Sequence, residues 1–193
     1  MLTFNFREEM LNLVVPDKVC VEVGVERGFF SAEILKRNPK ELFLLDPWTP
    51  QDPARYPYDL VNDANSENFD SQYENVVKKF SDDKRVKIIR GFSYFEAQKF
   101  NNESLDFVYI DAIHTFESCF CDMVTWMPKV KPDGWLCGHD FTGKEPWSYP
   151  GVKTAVEAFC RVTGYEIGLL TFEDWSSWGI RKTALTTSSM SGK

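Results

Sequence analysis

Four acids and two imidazoles carry the chemistry this sequence can do. Glu22, Asp46, Asp111 and Asp140 lie inside or at the ends of short apolar runs, and the chain's only histidines, His114 and His139, stand beside the last two acids. Two carboxylates with an imidazole nearby suit a divalent cation. Mg²⁺ would favour Asp111 and Asp140 with waters and substrate oxygens, and involvement of His139 would shift the preference toward Mn²⁺, Fe²⁺, Co²⁺ or Zn²⁺. His114 would then be a general base, since an imidazole titrates near neutrality. Each of these residues also has a plain structural use, because aspartate caps helices and turns and a histidine can be a satisfied structural group. Finding both histidines beside two strand-end acids favours chemistry for the group.

The elements that position these residues are legible from periodicity. Val19–Val23 is a short apolar run that reads as a buried strand. It leads through Gly24-Val25-Glu26-Arg27-Gly28 into Phe29–Lys36, whose apolar residues recur at helical spacing. A strand, a glycine turn and a helix in this order open a nucleotide-binding α/β sheet, whose ligands sit outside the carboxyl ends of the strands. The spacing Glu22-x-Gly24-x-x-x-Gly28 differs from both the G-x-G-x-x-G turn and the P-loop. An acid at position 22 would repel a pyrophosphate and suits a ligand bearing an ammonium. The two glycines would let backbone approach a ligand closely, or serve packing. Asp46 ends the next apolar run, Glu41–Asp46, some twenty residues on, where an acid binds ribose hydroxyls; a turn aspartate before Pro47 is the alternative.

The remaining chain alternates in the same way. Met1–Val15 reads as a leading helix, which would cap the pocket or pair with a second subunit in a homodimer. Pro47–Ser66, rich in proline and aromatics, is placed to form a lid or pocket wall. A helix is expected over Glu67–Phe80, a strand near Val86–Ile89, and a short helix after Gly91-Phe92-Ser93. Strands follow at Leu105–Asp111 and Trp135–Asp140, separated by a helix over Thr115–Met127 and a turn at Lys131–Gly134. After a helix over Pro150–Thr163, Tyr165–Phe172 and Ser177–Lys182 read as an antiparallel hairpin, because their connection is too short for a crossover helix. The fold class is therefore α/β. It has seven strands in a mostly parallel sheet with one antiparallel strand, and helices on both faces. One domain over residues 1–182 and a disordered tail over 183–193 complete this organisation.

Composition narrows the function. The 193-residue chain has a net charge of −7 and no Lys/Arg cluster, which gives a nucleic-acid partner no general support. Five scattered cysteines make no disulfide framework and suggest reduced thiols in a cytoplasmic protein. No signal-peptide pattern and no membrane-spanning apolar run is expected.

The motifs Val-Glu-Val-Gly-Val-Glu-Arg-Gly, Leu-Leu-Asp46, Leu-Asp-Phe-Val-Tyr-Ile-Asp-Ala-Ile-His and Lys-Pro-Asp-Gly-Trp-Leu-Cys-Gly-His-Asp together resemble those of class I S-adenosylmethionine-dependent methyltransferases. The resemblance covers nearly all of Val19–Lys182 and implies a Rossmann-like sheet. Within the class the chain is most similar to small-molecule O-methyltransferases acting on sugars, phenols and natural products. These are distant relatives of catechol-type enzymes, and several depend on Mg²⁺ or Mn²⁺. The resemblance implies that Glu22, Gly24 and Gly28 border the methionine part of the cofactor. By the same resemblance Asp46 would take the ribose hydroxyls, and Phe92 and Ser93 would lie near adenine. Asp111 would sit between cofactor and metal, with Asp140 and His139 completing the metal site. It departs from the metal-dependent relatives in carrying histidine where an acid often precedes Asp140. A nicotinamide-dependent oxidoreductase would require the missing G-x-G-x-x-G turn. A non-catalytic cofactor-binding protein would tolerate loss of Asp111 and Asp140.

Overall fold

A computed structural model describes residues 1–52, 68–142 and 150–183. Most of Pro47–Ser66, expected as a lid or pocket wall, and residues 184–193 of the expected tail lie outside the described residues. The elements run β1 (Leu2–Phe4), α1 (Arg7–Val14), β2 (Val19–Val23), α2 (Phe29–Lys36), β3 (Glu41–Asp46), α3 (Phe69–Phe80), β4 (Val86–Arg90) and α4 (Ser93–Ala97). The second half runs β5 (Leu105–Ile110), α5 (Phe116–Trp126), β6 (Val130–Gly138), α6 (Pro150–Thr163), β7 (Ile167–Thr171) and β8 (Trp178–Arg181). They form one mixed sheet of eight strands in the order β1-β7-β8-β6-β5-β2-β3-β4. Only β8 runs antiparallel to its neighbours, and it pairs with both β6 and β7.

Two expectations are corrected. The sheet has eight strands rather than seven, because Met1–Val15 is a strand followed by a helix. Leu2, Thr3 and Phe4 pair in parallel with Leu169, Leu170 and Thr171. Three residues are too few to show a period-two pattern, and their partner lies at the other end of the chain. The helix begins only at Arg7, where the Glu9 carboxylate accepts from the Asn5 backbone N–H. The second correction is at Lys131–Gly134, which lies inside β6 rather than in a turn before it. There the β5–β6 register jumps from Leu105↔Val130 to Phe107↔Trp135, and Asp133 takes a left-handed φ of 64°. The turn-forming residues make a bulge, and both its arms stay paired.

Alternation along the strands divides the core between the two faces of the sheet. Val21, Val23, Val108, Ile110 and Leu136 pack with α5 and α6. Cys20, Leu42, Leu44, Phe107 and Tyr109 pack with α1, α2 and α3. Glu22 shares the second face with Cys20, so its carboxyl points among apolar side chains toward α2. From β2 the chain builds outward through β3 and β4, then returns to the other side of β2 with β5 and β6. The crevice where that order reverses lies above the carboxyl ends of β2 and β5.

Candidate active site

At that crevice the glycine turn is shaped by the protein's own packing. Gly24 has φ 89°, and a Cβ there would lie 1.8 Å from the Asp111 carbonyl oxygen. Gly24 thus lets the ends of β2 and β5 touch, and only glycine tolerates both the contact and the backbone. Gly28, at φ 67°, starts α2 against the Phe80 ring. At Gly24 the Cβ position is filled by the neighbouring strand, so packing requires glycine there, and its backbone also lines the cavity at this crevice.

Asp46 holds the same turn from outside. Its Oδ2 accepts the N–H groups of Val25 at 2.8 Å and Glu26 at 2.9 Å, and its Oδ1 accepts that of Trp48 at 2.7 Å. Burial raises its pKa against the pull of those amides. An ionised carboxylate offers about four lone-pair positions, and these bonds occupy three of them. Glu22 is buried and accepts a hydrogen bond from the Ser31 hydroxyl. Burial pushes its pKa to about 8, despite that bond.

The strand-end acids and histidines meet across β5 and β6. The ladder continues past the strands, with Asp111 N donating to Val23 O at 2.8 Å and His139 N to Ile110 O at 3.1 Å. Asp140 turns back with a left-handed φ of 58°, an uncommon conformation for a non-glycine residue. Its Oδ2 lies 3.0 Å from His114 Nε2 and 3.3 Å from His139 Nδ1. His139 Nδ1 is also 3.7 Å from Asp111 Oδ2, and His114 Nε2 is 3.8 Å from Asp111 Oδ1. Burial alone would raise the pKa of Asp140, and the two imidazoles instead hold it well below the usual carboxylate range. Asp111, His139 and Asp140 each offer one donor atom within 4.8 Å of the others. Two carboxylate oxygens and one imidazole nitrogen fit a divalent cation that keeps open positions for water or substrate.

All of the expected site residues except Gly28 line one cavity of about 780 Å³, within the range of small-molecule sites. Phe92 and Ser93 enter it from the start of α4. The Ser93 hydroxyl accepts from Trp126 Nε1 at 2.8 Å and donates to Asp122. Among the cavity residues that the sequence did not point to are Asp122 and Arg7. Asp122 sits on α5 with its pKa raised to about 6 by burial, against the lowering effect of Ser93. Arg7, on α1, places Nη1 3.2 Å from Asp111 Oδ2. A polar residue at a core-facing position of an apolar helix was the available signal for Asp122. For Arg7 there was none, because its approach depends on β1 docking beside β7.

Residues 21–141 match the model of the Methyltransferase domain family. The match spans more than half of the chain, which belongs to that family and, with its Rossmann-like sheet, to the class I S-adenosylmethionine-dependent methyltransferases. No curated protein shows a significant sequence match. Among solved structures, the chain resembles a Clostridium thermocellum protein assigned as an rRNA methylase, with a TM-score of 0.66 and 14% identity over 92% of this chain and 93% of that one. It also resembles SMU.1697c from Streptococcus mutans in complex with SAH, with a TM-score of 0.64 and 12% identity over 91% and 94% of the two chains. A third is the Burkholderia thailandensis 1,6-didemethyltoxoflavin-N1-methyltransferase, with a TM-score of 0.56 and 12% identity over 92% and 76%. At such identities the likeness is one of fold.

Proposed function

We propose that this protein transfers the methyl group of S-adenosylmethionine to a hydroxyl of a small molecule, with divalent-metal assistance. The observation that carries the reading is the meeting of Asp111, His114, His139 and Asp140 beside the turn that a class I cofactor occupies. A sulfonium methyl is already activated, so the protein's main task is to align an acceptor oxygen with it. The cofactor would lie along Glu22–Gly28, with its ribose toward Asp46 and its adenine beside Phe92 and Ser93. The open position on the Asp46 carboxylate limits it to one ribose hydrogen bond while the turn keeps its own three.

Asp111, His139 and Asp140 would hold the cation. When bound, it would supply Lewis acidity, lowering the pKa of a coordinated hydroxyl. In the neutral ring His114 Nε2 donates its N–H to Asp140 and the lone pair lies on buried Nδ1, so His114 would act as general base only once Asp140 turns to the cation and releases Nε2 to take the acceptor's proton. The Asp140 and Asp111 carboxylates beside it would stabilise the imidazolium that forms. Acidic side chains outnumber basic ones among the described residues of the cavity wall, which supports a cationic cofactor and a small acceptor over a polyanionic one.

The test is calorimetric titration of S-adenosylmethionine and S-adenosylhomocysteine, with and without Mg²⁺ or Mn²⁺, followed by radiolabelled methyl transfer to a panel of sugars and phenols. Binding that a metal modulates, with label appearing on a hydroxyl, is expected. No binding of either compound to folded protein would overturn the cofactor reading. Full turnover in chelator-treated protein would remove the metal from it.

A further inference from the structure

The cavity wall is acidic, with Glu26, Asp46, Asp111, Glu117, Asp122 and Asp140 among the described residues that line it. That suits the ammonium and sulfonium of the proposed cofactor and opposes its α-carboxylate. One Lys or Arg stands among the described lining residues, and it is Arg7. Its position is built rather than incidental. The Arg7 backbone N–H donates to Glu173 Oε1 at 3.0 Å, and the same oxygen accepts from the Thr171 hydroxyl at 2.8 Å. The guanidinium carbon lies 4.3 Å from the centroid of the Phe30 ring, on the helix that leaves the glycine turn. Nη1 reaches Asp111, and the buried Tyr109 phenol lies near enough to act on its charge. Burial opposes the charge, the Asp111 carboxylate favours it, and the guanidinium keeps its proton.

A guanidinium carries five N–H donors in a planar fork, more than the Asp111 and Tyr109 contacts require. Its neighbours Phe30, Glu22 and Asp111 belong to the methionine end of the proposed cofactor site. We infer that Arg7 binds the α-carboxylate of the cofactor's amino-acid moiety and makes the site selective for the carboxylated form. This rests on the cofactor reading above. It also gives the β1–α1 arm a binding role, since the arm delivers the positive charge the sheet ends lack.

The experiment compares S-adenosylhomocysteine with S-adenosyl-3-thiopropylamine, which is the same molecule without the carboxylate. Titrations use the full chain and the variants R7M and R7K. R7M keeps an unbranched stem to pack on Phe30. Wild type should bind S-adenosylhomocysteine about 10- to 100-fold more tightly than the amine, the range of a charge-assisted hydrogen-bonded pair. R7M should weaken the homocysteine compound by that factor and leave the amine within about threefold, while R7K should recover part of the loss. A wild-type preference below about threefold overturns the inference, and that comparison needs no variant to fold. Equal losses for both compounds in R7M overturn it too, since they would mark Arg7 as a support of the whole pocket. An unchanged preference in R7M, with a raised KM for an anionic acceptor, would move Arg7 to the acceptor side. Binding of neither compound by folded wild type would overturn the cofactor reading and this assignment with it. Binding without carboxylate selectivity would overturn this assignment alone.

Discussion

The residues at the strand ends divide chemistry from support. Asp111→Ala and Asp140→Ala should each lower turnover by at least about 10²-fold, the low end of what a positioned acid–base group contributes. Asp140 is the more sensitive to structure, because its loss frees two imidazoles at once. Methyl-transfer assays that find near-normal rates in both variants would sink the role given to this cluster. Asp46→Ala should weaken cofactor binding and also cost stability, because it strips the carboxylate from three backbone N–H groups. An unsatisfied buried donor costs about 1–3 kcal/mol, so a drop in the urea midpoint should accompany the loss of affinity. Glu22 gives a pH signature. Its folded pKa of about 8 lies above its ordinary 4.5. Between those values the folded state keeps a proton that the unfolded chain has released, so this contribution to stability falls as pH rises through the window. Glu22→Gln should flatten that decline, an effect on the order of a few kcal/mol at most. Denaturation at pH 5 and pH 8 that shows the same slope in both proteins would refute it. The types and positions of Asp111, His114, His139 and Asp140 were legible in the sequence, because a strand followed by a turn places its last acid at a sheet edge. Their pairing was not, because a left-handed backbone at Asp140 cannot be read from its neighbours.

At the scale of elements, the glycine turn and the β1–α1 arm position the site. Gly24→Ala would drive a methyl into the Asp111 carbonyl at a backbone angle that side chains rarely adopt. Overpacking of a tight contact costs about 1–3 kcal/mol, and this one adds backbone strain. The variant should therefore unfold at markedly lower urea, and an unchanged midpoint would show that the two strand ends do not meet as described. Most elements were readable from periodicity: the helix over Phe29–Lys36 and the strand over Glu41–Asp46 coincide with the observed spans. The elements that were not are those whose partner is far away in sequence. β1 forms because β7, some 165 residues on, offers it an edge. The β6 bulge at Asp133 persists because Lys182 closes it, its carbonyl accepting from Asp133 N at 2.7 Å and its own N–H donating to Gly134 O at 2.9 Å.

At the scale of the molecule, one sheet joins two half-cores, and the cavity lies where the chain order reverses. A ligand seated at that seam touches both halves and should stabilise the whole. At about 100 times its dissociation constant, S-adenosylhomocysteine should add roughly 2.7 kcal/mol. For a chain of this size that raises Tm by roughly 5–10 °C. Calorimetric scans with and without the compound would show it, and an unmoved transition would mean that the cavity does not bind this ligand. The sequence by itself determined the alternation of strands and helices, the parallel sheet with its antiparallel closing strand, and which acids and histidines stand at the carboxyl ends. Those follow from local periodicity and from the rule that parallel strands all end on one side. Only the tertiary structure decided that Gly24 serves contact between strands, that Asp46 is largely committed to the turn, and that Arg7 is the positive charge in an acidic cavity. Each of those depends on a distance between residues far apart in the chain, and no local pattern encodes such a distance.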